Sequence, residues 1–129
     1  MKTLLKVVLL SSGICLAGFA QASEVLEGAM KSLAKNSKAF AQAQTATEAN
    51  NALTEMQKAA VTAKQNKPRK LAKQAKDSAQ VKQYEQSFDV LSQEIEHAQH
   101  LVHAGKLTEA KQSSAKFEAI KQQGHKTFK

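Results

Sequence analysis

The chain has no tryptophan, a single proline (Pro68), a single arginine (Arg69) and a single cysteine (Cys15). One cysteine cannot form a C-x-x-C redox or zinc motif, and no glycine-rich loop is present to cradle a phosphate. No nucleophile lies beside a base, and the acidic residues fall mostly on polar faces instead of forming buried pairs, so no enzyme is expected. Long apolar runs are scarce too. The only one, Val7 to Ala20, is too short to span a bilayer as a permanent helix. It follows Lys2 and Lys6 and ends in Ala20-Gln21-Ala22, the small-x-small pattern that a signal peptidase accepts. Residues 1–22 therefore read as a cleaved export signal, with the mature domain at 23–129 and the periplasm as its destination. Cys15 invites a lipoprotein reading, but Ile14 before it is a poor fit to the small residue such a signal requires. Cleavage removes the only thiol, so the mature fold is held by packing or by a bound group and not by a disulfide.

What remains is rich in Ala, Gln, Lys and Glu. Of 19 basic residues, Lys2 and Lys6 leave with the signal, and 17 against 11 acidic residues give a formal charge of +6. Such a surface suits acidic partner proteins or anionic headgroups. The lysines look scattered along the chain, arginine is nearly absent, and export separates the protein from nucleic acid, so nucleic-acid binding is not expected.

Periodicity then divides the mature chain into four helices. From Glu24 to about Gln44, Leu26, Met30, Leu33, Ser37 and Phe40 lie on one stripe. Thr45-Ala46-Thr47-Glu48 matches a capping box and starts a second helix near Ala46. Its stripe is Ala49, Leu53, Met56, Ala60 and Ala63, and it stops at Asn66-Lys67-Pro68. The connector Asn66 to Lys76 is polar apart from Leu71 and a few alanines. Asp77-Ser78-Ala79-Gln80 offers a second capping box, after which Val81, Tyr84, Phe88, Leu91, Ile95, Ala98 and Val102 keep the three-four spacing of a bundle seam. Gly105 ends this helix, and a fourth runs from about Leu107 to Thr127. The expectation is an all-α, antiparallel, up-down-up-down four-helix bundle, with helices roughly 30 to 40 Å long at 1.5 Å per residue.

That topology brings the start of helix one, the end of helix two, the start of helix three and the end of helix four to the same end. Met30, Tyr84, Phe88 and His125 therefore meet there, among the small residues Gly28, Ala29, Ala59, Ala60, Ala63 and Gly124. His125 shares a face with Phe117, Ile120, Lys121, Gly124 and Phe128, which predicts an inward imidazole with open space beside Gly124. A methionine sulfur and an imidazole across a slot walled by aromatic rings form a donor set for six-coordinate haem iron. Lys121, one turn before His125, is placed to reach a propionate.

These residues carry a resemblance. The chain is similar to the soluble cytochrome b562 family over essentially the whole of Ser23 to Lys129. The similarity is best in Ala52-Leu53-Thr54-Glu55-Met56, Ser87-Phe88-Asp89-Val90-Leu91 and Gly105-Lys106-Leu107-Thr108-Glu109-Ala110. It implies the up-down-up-down bundle of which that family is a standard example. It also implies axial ligation of haem b by Met30 and His125, with Tyr84, Phe88 and Leu33 as haem contacts. Two positions depart from the pattern: Lys121 stands where a family member has arginine near a propionate, and Gly124 stands where it has tyrosine. Lysine lacks the planar fork of arginine, so the charged contact weakens. The stretch Lys121-Gln122-Gln123-Gly124-His125 has no thiol for a C-x-x-C-H attachment, so any haem is non-covalent. The implied role is that of a monomeric one-electron carrier for acidic redox partners.

Two rivals stay open at this point. One is a haem-free exported bundle acting as a binding or stress protein. The other is metal binding by His97, His100 and His103, which recur every three residues. They point outward over about 120° of helix surface at 100° per residue, so at most a neighbouring pair chelates well. They also fall at the end of the bundle away from Met30.

Overall fold

Thr45 separates the first two helices. A computed structural model describes residues 24–128, and the first helix, α1, covers residues 24–42. The expected export signal, residues 1–22, lies outside the described residues, as do Ser23 and Lys129. Helix α2 (Ala46–Gln65) is capped by Thr45, whose Oγ1 accepts the Glu48 N–H at 3.2 Å. The Thr45 hydroxyl donates to Glu48 Oε1 at 3.0 Å, so the glutamate closes the cap through the side chain.

The polar connector after α2 holds a turn of helix that its composition did not predict. Helix α3 (Arg69–Ala72) begins at Pro68, whose carbonyl accepts the Leu71 and Ala72 N–H groups. Leu71 is buried and pins the turn to Val81 and Tyr84. Helix α4 (Ala79–His103) starts one residue later than the expected box, because Ser78 is the cap and accepts the Val81 N–H at 3.2 Å. Gln80 does not return a bond to the helix start; its side-chain oxygen accepts from the Gln74 amide.

At the far end of α4, Gly105 adopts φ +79°. The Lys106 N–H reaches Leu101 O at 2.8 Å and the Gly105 N–H reaches Val102 O at 3.0 Å, the paired bonds of a Schellman motif. The expected fourth helix is two pieces, α5 (Leu107–Lys111) and α6 (Ser113–Phe128), because Gln112 makes a tighter bond to Glu109 O. The residues on either side of that break are tied to different helices. Lys111 Nζ donates to Ala43 O at 2.8 Å, and Ser113 Oγ donates to Glu94 Oε1 at 2.9 Å.

Cross-helix contacts show the directions. Tyr84 at the start of α4 donates to Ala63 O at the end of α2. Phe128 at the end of α6 packs on Tyr84, with ring centroids 5.4 Å apart. Phe40, late in α1, meets Phe117, early in α6, at 5.7 Å. Each of these three pairs is therefore antiparallel, which makes an all-helical up-down-up-down bundle. One core runs through it, with Phe40, Leu53, Met56 and Ile95 almost fully buried. The alanines of the α2 stripe are buried as well, which lets α2 and α4 approach closely.

The Schellman turn is open to a direct check. A Cβ at Gly105 would meet nothing within 4 Å, so any penalty is conformational and not a clash. Gly105→Ala is expected to lower unfolding stability by roughly 1 kcal/mol, and Gly105→Asn by less. Urea unfolding midpoints at constant m-value measure both.

Candidate functional site

Between α1 and α6 runs a cavity of about 890 Å³, lined from Leu26 to Ala41 on α1 and from Ser114 to Phe128 on α6, with Tyr84, Phe88 and Leu91 of α4 contributing. That volume lies in the range of small-molecule and cofactor pockets, about 300–1,000 Å³. All six candidate residues line it: Met30 and Leu33 from α1, Tyr84 and Phe88 from α4, Lys121 and His125 from α6.

Their environments differ. Met30 is half-buried and packs on the main core, and Leu33 is buried. Both are therefore held by α1's own apolar stripe. Tyr84 is buried, with its hydroxyl bonded to Ala63 O, and its ring makes edge contacts with Phe88 at 4.9 Å and with Phe128. Burial pushes the Tyr84 phenol well above its ordinary ionisation range. Three aromatic rings, meeting edge to face, thus line the cavity. Lys121 is about half exposed and sits 3.7 Å from Glu118, a long surface pair that leaves its ammonium largely uncommitted.

His125 corrects one expectation. Its imidazole lines the cavity but is exposed, not shielded on an inner face. Past Phe117, the last buried residue of α6, the inward positions Ile120, Gly124 and Phe128 are only half-buried. The wall opposite is set back by the width of the cavity, so water reaches the ring. Gly28 is likewise exposed and does not line the cavity, whereas Ala29 is buried in the core.

Several lining residues escaped the sequence reading. Phe128 lies three residues after His125 on the same face, and that spacing was a usable signal. Met56 is buried at the cavity wall and was legible only as core. Pro68 was legible only as a helix stop, yet it lines the cavity too. Lys31 and Lys38 join Lys121 in the lining, together with Glu27, which pairs with Lys31 at 3.0 Å, and Glu118. No sequence pattern marked the two α1 lysines, because they face the cavity only once α6 is in place.

The donor set suits a flat, iron-centred cofactor. A thioether and an imidazole are carried on the two helices that flank the cavity, with aromatic rings and apolar side chains between. A Cβ at Gly124 would meet nothing within 4 Å, so the α6 backbone beside His125 leaves room for a ring to approach. Apart from this cavity, His97, His100 and His103 are all exposed on α4. Among the described residues no group of three or more His, Cys, Asp or Glu side chains is arranged to hold a metal ion. No helix among them is long and apolar enough to cross a membrane.

Comparison with known proteins adds two findings. A family model described as Cytochrome b562 matches residues 25–129. A curated protein of Yersinia pestis named "Probable soluble cytochrome b562 2" is 38% identical over 77 residues, 60% of this chain and 60% of that protein. The matched stretch thus spans less than two thirds of the relative's length.

Two measurements follow from the geometry. Tyr84→Phe removes the bond to Ala63 O and is expected to lower stability by about 1 kcal/mol. Because the folded phenol ionises above the unfolded one, its contribution is fully present below pH ~10 and is lost as pH rises beyond that. The gap between wild type and Tyr84→Phe should therefore narrow in alkaline unfolding curves. Zn(II) titrated into wild type and into His100→Ala is expected to give matching isotherms.

Proposed function

The chain belongs to the cytochrome b562 family, and from that membership we propose that it is an exported b-type cytochrome carrying single electrons on non-covalent haem. The single observation that carries the reading is that Met30, Leu33, Tyr84, Phe88, Lys121 and His125 all line one cavity.

Bound haem would supply a one-electron iron couple, with methionine ligation favouring the reduced state. The chain's own residues do the rest. The Met30 thioether on α1 and the His125 imidazole on α6 would hold the haem iron. Held by both side chains, the iron would have no place for oxygen or substrate, so the role is transfer and not catalysis. Tyr84, Phe88 and Leu33 would give the cofactor an apolar surround and exclude water. Lys121 neutralises a propionate, with a looser grip than a planar guanidinium would give.

The remaining parts of the reading rest on the sequence. The basic-apolar-small order of residues 1–22 supports export to the periplasm. The positive balance of the mature chain supports acidic redox partner proteins, with attraction that weakens as salt rises. A monomer is the proposed working state.

Reconstitution with haem tests the centre of the proposal. The mature chain should show low-spin bands that are lost in Met30→Ala and again in His125→Ala. Spectra left unchanged by either substitution would remove that residue as a ligand and with it the proposed mechanism.

A further inference from the structure

Thirteen residues hold most of the charge. Residues 66–78 carry Lys67, Arg69, Lys70, Lys73 and Lys76 against Asp77, a balance of +4 out of the +6 borne by residues 23–129. The other residues of that span, with 12 basic and 10 acidic side chains, are nearly balanced. The charge that looked scattered is thus concentrated in one connector.

The surface is built, not loose. Leu71 anchors α3 from below against Val81 and Tyr84, and the Pro68 carbonyl closes the turn. Two flanking lysines are already spoken for: Lys64 pairs with Asp89 at 2.7 Å and Lys67 with Glu85 at 3.4 Å. Arg69, Lys70, Lys73 and Lys76 are exposed and have no ion pair among the described residues. Exposed Lys82 extends the field into the first turns of α4.

This placement works against helix stability. The positive end of a helix dipole favours acidic side chains nearby, and α2 obeys with Glu48 in its first turn. The first turns of α3 and α4, like that of α6, contain no acidic residue.

The patch also borders the cavity. Pro68, immediately before Arg69, lines it, and Tyr84, which packs on Leu71, forms part of its aromatic side. We propose that α3 and its flanking turns, Arg69 to Lys76 with Lys82, are the docking face for an acidic partner protein at the cavity end of the bundle. The electron-carrier reading supplies the purpose of this contact. An acidic protein fits better than a bilayer, because the exposed large apolar side chains, Val25, Val61 and Val90, all lie outside the segment. Stable membrane attachment needs apolar insertion as well as charge, whereas reversible docking between complementary charges needs only steering.

The test uses the purified protein, with and without haem, and an acidic [2Fe–2S] ferredoxin as the probe. Calorimetry and amide shift mapping compare wild type with Lys70→Gln/Lys73→Gln/Lys76→Gln and with the charge-matched control Lys35→Gln/Lys58→Gln/Lys106→Gln. The patch variant is expected to bind about tenfold more weakly and with a shallower salt dependence, and the control to change by about twofold or less. Wild-type shifts should centre on residues 69–82. Equal losses in the two variants, or shifts centred elsewhere, would overturn the proposal. So would patch-dependent binding to phosphatidylcholine vesicles containing phosphatidylglycerol in the absence of ferredoxin binding, which would assign the surface to a membrane. Docking by the haem-free protein is read independently of any spectrum. A failed haem reconstitution with intact docking would therefore sink the carrier reading alone, and the converse result would sink only the docking face.

Discussion

The contact of Phe40 with Phe117 governs the rest of the bundle. Helices pack at 8–10 Å when their interdigitating side chains fill the space between them, and at this end of the α1–α6 seam two large rings do so. Lys111 adds a bond to the last turn of α1 through Ala43 O. Toward the other end the facing positions pass to Met30, Gly124 and His125, which do not fill the same width. A cavity of about 890 Å³ results, lined by both helices. The two helices thus touch through Phe40 and Phe117 while the cavity, which Phe117 itself helps to line, runs beside that contact, and Met30 and His125 lie farther along it.

Most of this architecture could be read from the chain because its long helices are amphipathic in the simplest way. The stripes of α2 and α4 are buried as their spacing predicts, with Phe88 half-buried where it meets the cavity. Gly105 takes the left-handed conformation that its place after Val102 and His103 suggested. What escaped was short-range competition between similar signals. Asp77 and Ser78 both suit a cap, and the choice falls on Ser78 while Gln80 is held by Gln74. The tightened turn at Gln112 has no sequence mark, since its neighbours Lys111 and Ser113 are tied to partners 68 and 19 residues away.

The site was legible to the same degree and for the same reason. Placing Met30, Tyr84, Phe88 and His125 at one end needed only helix directions, and all four line the one cavity. Exposure of His125 was not legible, because it depends on how far apart α1 and α6 stand rather than on the face of α6. The charge of residues 66–78 could be counted in the sequence, but its place in the molecule could not. Lysines spaced through a polar connector look like solubilising residues, but Leu71 folds that connector onto Tyr84 and turns them into one face beside the cavity.

The two candidate ligands are also held with unequal firmness. Met30 belongs to a stripe that continues through buried Leu33 and Phe40 into the main core, so moving its sulfur means disturbing that packing. His125 rides on the last turns of α6, whose nearest inward anchors are half-buried Ile120 and the ring of Phe128 on Tyr84. A group bound between the two helices would therefore draw the histidine side inward far more than it would move the methionine side. Its binding free energy would add directly to fold stability, since any ligand favouring the folded chain does so by mass action. In a bundle without a disulfide, whose last helix is anchored at its start by Phe117 and Ser113 and at its tip by Phe128, that coupling would act most on the stretch between them, where the inward residues are only half-buried.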